Sequence, residues 1–131
     1  MYVTIKGNIK EVFDAALKSA ALTALNDSIR DAVDAHKSFS TKKADKVAIV
    51  ITASATVSAD DKAKPTQLKA TIGIDGLLTG GTAQAFKASG NGSMDGLNAK
   101  KLERDVADLI SSVVSDLMKS KVIPQMLKMT P

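Results

Sequence analysis

The chain has 131 residues, of which 44% are hydrophobic and 24% are charged, and its formal net charge is +4. These values indicate one globular domain and exclude a disordered chain. The absence of cysteine excludes thiol catalysis, disulfides and cysteine-based zinc sites. No apolar run approaches the roughly 20 residues that a membrane-spanning helix needs.

The basic residues are almost all lysine, since only Arg30 and Arg104 are arginine. Arginine is the usual residue for bidentate contacts with phosphate and guanine, whereas lysine is a solvated point charge. We therefore do not expect nucleic acid as the main partner. The start of the chain, Met1 to Lys6, does not resemble a signal peptide. An export signal that was removed before Met1, and with it a periplasmic location, stays open.

The first element is expected to be a short strand, because Tyr2 to Lys6 alternates between apolar and other residues. Gly7 and Asn8 then interrupt the pattern. Asn8 is a plausible helix N-cap, with Glu11 three residues further on in the position of a capping box. This predicts that a long helix begins near Ile9.

Two apolar stripes follow at helical spacing, on nearly opposite sides of that predicted helix. The first stripe comprises Ile9, Val12, Phe13, Ala16, Leu17, Ala20 and Ala24, and the second comprises Leu22, Leu25, Ile29, Val33 and His36. Either the helix breaks near Asn26 to Ser28, or it continues and buries a second face. We favour a continuous or mildly kinked helix, because it contains no Gly or Pro.

Three alternating runs come next, after a polar loop from Lys37 to Asp45. Lys46 to Ser58 and Thr66 to Asp75 each place apolar residues on one face, which predicts an antiparallel pair joined by a charged turn. Thr82 to Ser89 is a weaker strand, whose inward face is either Ala83 and Ala85 or Phe86 and Ala88. The outer face of this sheet is expected to carry Thr52, Ser54, Thr56, Lys69, Thr71 and Asp75.

The last third of the chain is predicted to be a loop and a second helix. Ser89 to Asn98 is rich in Gly, Ser and Asn, and an amphipathic helix follows from about Ala99 to Lys121. Pro124 is expected to close this helix. The tail, residues 122–131, carries Met126, Leu127 and Met129, and it is expected to dock on the body or on a partner.

These elements predict a two-layer α+β sandwich in the order β-α-β-β-β-α, as a single domain over residues 1–131. Two long helices pack on one face of a small, mainly antiparallel sheet. We do not expect catalysis, a cofactor or a metal site. His36 is the only histidine, the acids are dispersed, and the glycines lack phosphate-loop spacing. His36 is expected to be structural.

The order helix, three strands, helix resembles that of double-stranded RNA-binding domains. Gly90, Asn91, Gly92 and Ser93, followed by Lys100 and Lys101, are similar to the small-residue loop and paired lysines of that family. The resemblance implies lysines that face phosphates across a groove. The chain departs from the family where residues 94–99 separate the loop from the lysines, and in its longer first helix.

The leading hypothesis is a non-catalytic interaction or assembly module, with an accessory protein of the bacterial envelope as one setting. A protein partner or self-association is expected, and peripheral membrane contact stays open. The motive is surplus apolar surface, and the candidate partner surface is Leu22, Leu25, Ile29, Val33, Met126, Leu127 and Met129. The alternative is a polyanion or RNA binder that uses Lys37, Lys42, Lys43, Lys100 and Lys101.

Overall fold

The computed structural model describes residues 1–42, 47–79 and 84–129. Four strands form one mixed sheet in the order β1-β2-β3-β4, and the helices cover one of its faces. The predicted α+β sandwich and its element order are confirmed. The elements are β1 (Tyr2–Val12), α1 (Lys18–Asp34), β2 (Val47–Ala59), β3 (Leu68–Leu78), β4 (Gln84–Met94), α2 (Leu102–Leu117) and α3 (Ile123–Met129).

The first strand is more than twice as long as predicted, because it continues through Gly7 and Asn8 to Val12. The prediction that Asn8 caps a helix is wrong. The residues after it are extended because β1 pairs in parallel with β2 along its whole length, from Tyr2 to Val12. Asp14 is the residue that caps the following turn, since its side chain accepts a hydrogen bond from the N–H of Ala16.

Helix α1 therefore has one apolar face and not two. Ile9, Val12 and Phe13, which supplied much of the first stripe, precede the helix. The helix runs without a break through Asn26 to Ser28, as favoured from the sequence. Because it returns the chain to the start of β2, it is the crossover that makes the β1–β2 pairing parallel.

Strands β2 and β3 form the predicted antiparallel pair, with odd residues of β2 and even residues of β3 facing the helices. The turn between them is held by Asp60, as expected of an aspartate in a turn. Its carboxylate accepts hydrogen bonds from the Thr66 hydroxyl and from the N–H groups of Thr66 and Gln67. These bonds, with the Thr66 hydroxyl foremost, hold the pKa of Asp60 well below its ordinary value.

Strand β4 is longer than predicted, and it replaces part of the predicted loop. It pairs with β3 from Gln84 to Met94 without an irregularity, so Gly90 to Ser93 is strand. The loop that resembled an RNA-binding domain is therefore not present. Phe86 is buried and Ala85 is exposed, which settles the inward face. Gly90 and Gly92 lie beneath α2, where a Cβ at Gly92 would come within 2.7 Å of Val113.

Pro124 does not close the second helix. A turn of π-helix (Met118–Val122) follows α2, and α3 then continues with Pro124 as its second residue. A proline inside a regular α-helix would lack its N–H and would clash with the preceding turn. The wider π turn accommodates it by shifting the hydrogen bonds by one residue.

Helices α1 and α2 lie side by side and run in the same direction. Both begin at the end of the sheet where β1, β2 and β4 end, which follows from the pairing registers. The Ser28 and Ser111 hydroxyls meet 2.9 Å apart midway along the two helices. The side chains between the helices and the sheet form one apolar core, which includes Met118, Val122, Met126 and Met129.

Candidate functional site

Most of the predicted partner surface lies in the core of the protein itself. Leu25, Ile29, Val33 and Met126 are fully buried, Met129 is 7% exposed and Leu22 is partly buried. The premise of surplus apolar surface is corrected, because the single apolar face of α1 is used by the sheet and α2. Leu127 is 41% exposed, and as a partner surface it stays a prediction.

The predicted polyanion surface is not brought together. Lys37 and Lys42 follow the end of α1, whereas Lys100 and Lys101 form the turn before α2. Because the helices are parallel, these pairs lie at opposite ends of the sheet, roughly 30 Å apart for an eleven-residue strand. Lys43 lies outside the described residues. A polyanion surface built from this set stays a prediction, and the geometry gives it no common face.

His36 makes local contacts at the end of α1. Its Nδ1 accepts a hydrogen bond from the N–H of Ser38 at 3.2 Å, and its ring lies 5.3 Å from that of Phe39. Within residues 1–42, 47–79 and 84–129, no three His, Asp or Glu side chains gather as metal ligands would. None of the helices in that part of the chain is long and apolar enough to cross a membrane.

An open cavity of about 470 Å³ lies on the outer side of the α1–α2 seam. Its floor is apolar, with Ala32, Met118 and Ile123, and its rim carries His36 and Lys119. Of the three serines that line it, Ser28 and Ser111 bond to each other, and Ser115 stands apart from them. The cavity offers mainly apolar contact, and we do not take it as the site.

A sharper feature is the outer edge of β4, whose backbone groups can be assigned from the hydrogen bonds at the two ends of the β2–β3 pair. The N–H of Thr79 donates to the carbonyl of Ala48 at 2.8 Å, and that of Asp60 donates to Gln67 at 3.1 Å. Odd residues of β3 thus bond to β2. Because bonding alternates along an antiparallel strand, the even residues of β3 bond to β4.

The registers then decide which groups of β4 point outward. Even residues of β3 are paired with even residues of β4, so these groups are used within the sheet. The N–H and C=O groups of the odd residues consequently point away from the sheet. These five residues are Ala85, Lys87, Ser89, Asn91 and Ser93. No described strand pairs with this side of β4, which is the last strand of the sheet.

One side chain covers part of this edge. Lys121, in the π turn, donates from its Nζ to the carbonyl oxygen of Ser89 at 3.1 Å. This bond independently supports the assignment, because it shows that the Ser89 carbonyl faces outward. A lysine beside an open strand is a common protection against unwanted strand pairing.

A groove of about 200 Å³ runs between β4 and the flank of α2. Leu109, Val113 and Leu117 form its apolar floor, which Gly90 and Gly92 allow to approach the strand closely. Ser112, Asp116 and Ser120 form its polar wall. Among the described residues, no cation lies within ion-pair distance of Asp116.

We define the β4 edge site as the outward backbone of β4 together with this groove. The sequence reasoning missed it because Gly, Ser and Asn indicated a loop. A signal was present, however, since positions 88, 90, 92 and 94 are Ala, Gly, Gly and Met, whereas the odd positions between them are polar. Small inward residues at period two are consistent with a strand that lies close beneath a helix.

No protein-family model matches the sequence, and no curated protein matches it either. Two solved structures are similar over most of their length. One is the rare lipoprotein B from Shewanella oneidensis, with 12% identity, a TM-score of 0.48, and coverage of 99% of this chain and 100% of that one. The other, from Caulobacter crescentus CB15, is described as a candidate lipoprotein, with 8% identity, a TM-score of 0.45, and coverage of 97% and 93%.

Proposed function

We propose that this protein is a non-catalytic interaction module that binds an extended segment of a partner protein at the β4 edge site. The segment adds a fifth strand to the sheet. The observation that carries the proposal is the regular, unpaired edge of β4, eleven residues long and without Pro or a bulge. Five outward N–H and five outward C=O groups are a template for strand addition.

The groove beside the edge supports the same role and describes the partner. Every second side chain of an added strand would point toward the flank of α2, because strand side chains alternate between faces. There it would meet Ser112, Asp116 and Ser120. Small or hydroxyl side chains fit this narrow space beside the polar wall.

A second copy of the chain fits this edge less well. Val113 and Leu117 lie over Gly90, so the middle of β4 and Asp116 are at the same level of the sheet. A two-fold pair centred on the middle of β4 would therefore bring the two copies of Asp116 together. The two copies of Lys121, which line the same groove, would meet there as well, and both Ser89 carbonyls would have to be freed at once, whereas a different chain requires only one.

An accessory role in the bacterial envelope is part of this proposal. The composition supports it, with its few aromatic residues and no cysteine. Fractionation of bacteria that express the full-length gene product tests this part: recovery in the envelope fractions is expected, and recovery only in the cytoplasm would contradict it. This result does not bear on the binding role, which has its own experiment.

The decisive experiment selects peptides from a displayed random library against the whole protein and titrates them against two variants at one position. Asn91→Pro removes one outward N–H but no bond of the β3–β4 ladder, so the variant should fold. We expect it to weaken peptide binding at least roughly tenfold, since an added strand would lose a backbone bond and meet the proline ring. Asn91→Ala keeps the N–H and should bind like the wild type.

Every outcome of this experiment bears on the proposal. Equal binding of peptides to both variants would move the site elsewhere, with the seam between α1 and α2 as the next candidate. Unfolding of Asn91→Pro would show that its N–H belongs to the ladder and would overturn the backbone assignment. Dimers in light scattering that Asn91→Pro dissociates would identify a second copy of the chain as the occupant of the edge. Failure to select any peptide would contradict the binding of a foreign segment.

A further inference from the structure

We infer that the Lys121 side chain is a latch with two resting positions. Its ammonium group must leave the Ser89 carbonyl before a strand can add to β4. This inference rests on the proposed function, because it concerns the control of the same edge. The closed position is the observed one, with Nζ 3.1 Å from the Ser89 oxygen. That oxygen lies at the centre of the strand, where an incoming N–H would bind.

The π turn explains why Lys121 can reach the edge. The turn is wider than a turn of regular α-helix, because the N–H of Ile123 donates to the carbonyl of Met118, five residues earlier. The turn begins directly after α2, and both Asp116 and Lys121 line the groove beside β4.

Asp116 supplies the open position. It is the acid nearest in sequence to Lys121 on the wall of the groove, and no described cation is within ion-pair distance of it. When an incoming strand takes the Ser89 carbonyl, the ammonium group moves to this carboxylate and does not lose a partner. The exchange of one charged hydrogen bond for an ion pair keeps the cost of opening small.

Pro124 accounts for the π turn that carries Lys121. The proline excludes a regular α-helix at this place, and the π turn that accommodates it ends two residues earlier, at Val122. The same turn buries Met118 and Val122 in the core, so packing holds the backbone at Lys121 in place, while its side chain is exposed.

Peptides selected against the protein test the latch in three variants. Lys121→Ala removes the closed position, and we expect peptide affinity to rise roughly three- to tenfold, because the strand no longer competes with the ammonium group. Asp116→Asn removes the open position and should weaken binding roughly two- to fivefold. Lys121→Arg keeps a cation and should stay near the wild type.

Lys119→Ala is the matched control, since it removes the same charge from the same turn at an exposed position. Equal effects of Lys119→Ala and Lys121→Ala would reduce the latch to a general effect of net charge and overturn the inference. Unchanged affinity in Lys121→Ala would also overturn it, while the strand-addition proposal would stand as long as Asn91→Pro still blocks the peptide.

A second measurement does not need a peptide. The carbonyl ¹³C resonance of Ser89 reports whether its oxygen accepts a hydrogen bond from an ammonium group. It should shift upfield in Lys121→Ala and remain in place in Lys119→Ala. A Ser89 carbonyl resonance that does not change in Lys121→Ala would show that the closed position is absent in solution. This result is independent of whether any partner segment binds, so failure of the latch and failure of the function are distinguished.

Discussion

The two edges of the sheet differ in how their backbone is protected. On the β1 edge the chain itself covers the strand: the N–H of Val3 donates to the Ser40 carbonyl at 2.8 Å, and that of Ser40 donates to Met1 at 2.9 Å. The register between β1 and β2 shifts near both ends of β1, and Asn26 of α1 packs on Gly7. On the β4 edge, no bulge is present and a single lysine covers one carbonyl.

This difference between the two edges indicates where another chain can extend the sheet. Bulges and local pairing twist or occupy an edge, and they prevent another chain from extending the sheet there. A regular edge with one removable side chain leaves that possibility open. The β1 edge is thus covered by backbone at its first residues and interrupted by a register shift near its end, whereas the β4 edge is covered by one lysine side chain.

The largest effect is expected from Gly92→Val, which tests whether α2 must lie close to β4. The added side chain would meet Val113, whose χ1 is stiff in a helix, and we expect a loss of about 1–3 kcal/mol in the free energy of unfolding. Urea denaturation measures it. Ser93→Val, on the exposed face of the same strand, is the control and should change stability by less than about 0.5 kcal/mol. Equal losses would refute the close approach.

A smaller effect of opposite sign is expected from Asn26→Leu on the β1 side. The Oδ1 atom of Asn26 is buried without a hydrogen-bond partner, and a leucine of similar shape removes this unpaired group. We expect a gain of about 1 kcal/mol in the same denaturation measurement. A clear loss would mean that the larger methyl groups of leucine do not fit against Gly7, on which the amide oxygen packs.

The smallest effect concerns pH. The N–H and hydroxyl of Thr41 donate to Asp34 at 2.7 and 2.8 Å, and these bonds lower the pKa of Asp34 below its ordinary value of 3.8. Because the folded pKa lies below the unfolded one, the stabilisation is fully present above pH 3.8 and is lost as the pH falls through the folded value.

The Asp34 carboxylate binds Thr41, the residue next to Ser40. Asp34→Asn should therefore loosen the pairing of Ser40 with the start of β1. We expect a shallower fall of stability in acid and faster exchange of the Val3 amide. Asp95→Asn, an exposed change of the same charge, should leave both unaltered. If stability falls in acid by the same amount in the wild type, Asp34→Asn and Asp95→Asn, the Asp34 carboxylate does not stabilise this edge.

Strands β2 and β3 could be predicted because their side chains alternate cleanly, with one face in the core and one in water. The long stripe of α2 was equally clear. Ile9, Val12 and Phe13 were assigned to a helix because apolar residues three and four apart fit either structure when the run is short. Gly90 and Gly92 were assigned to a loop because glycine alone cannot indicate what lies above it.

The sequence by itself determined the α+β class, the order of the elements and the absence of cysteine chemistry, because periodicity and composition are local properties. Only the tertiary structure decided that β1 extends to Val12, since its pairing with a distant strand outweighs the local capping signal. It likewise decided that the apolar stripes close into one core. The direction of each backbone N–H on β4, and the position of Lys121 above Ser89, depend on contacts between residues far apart in the chain.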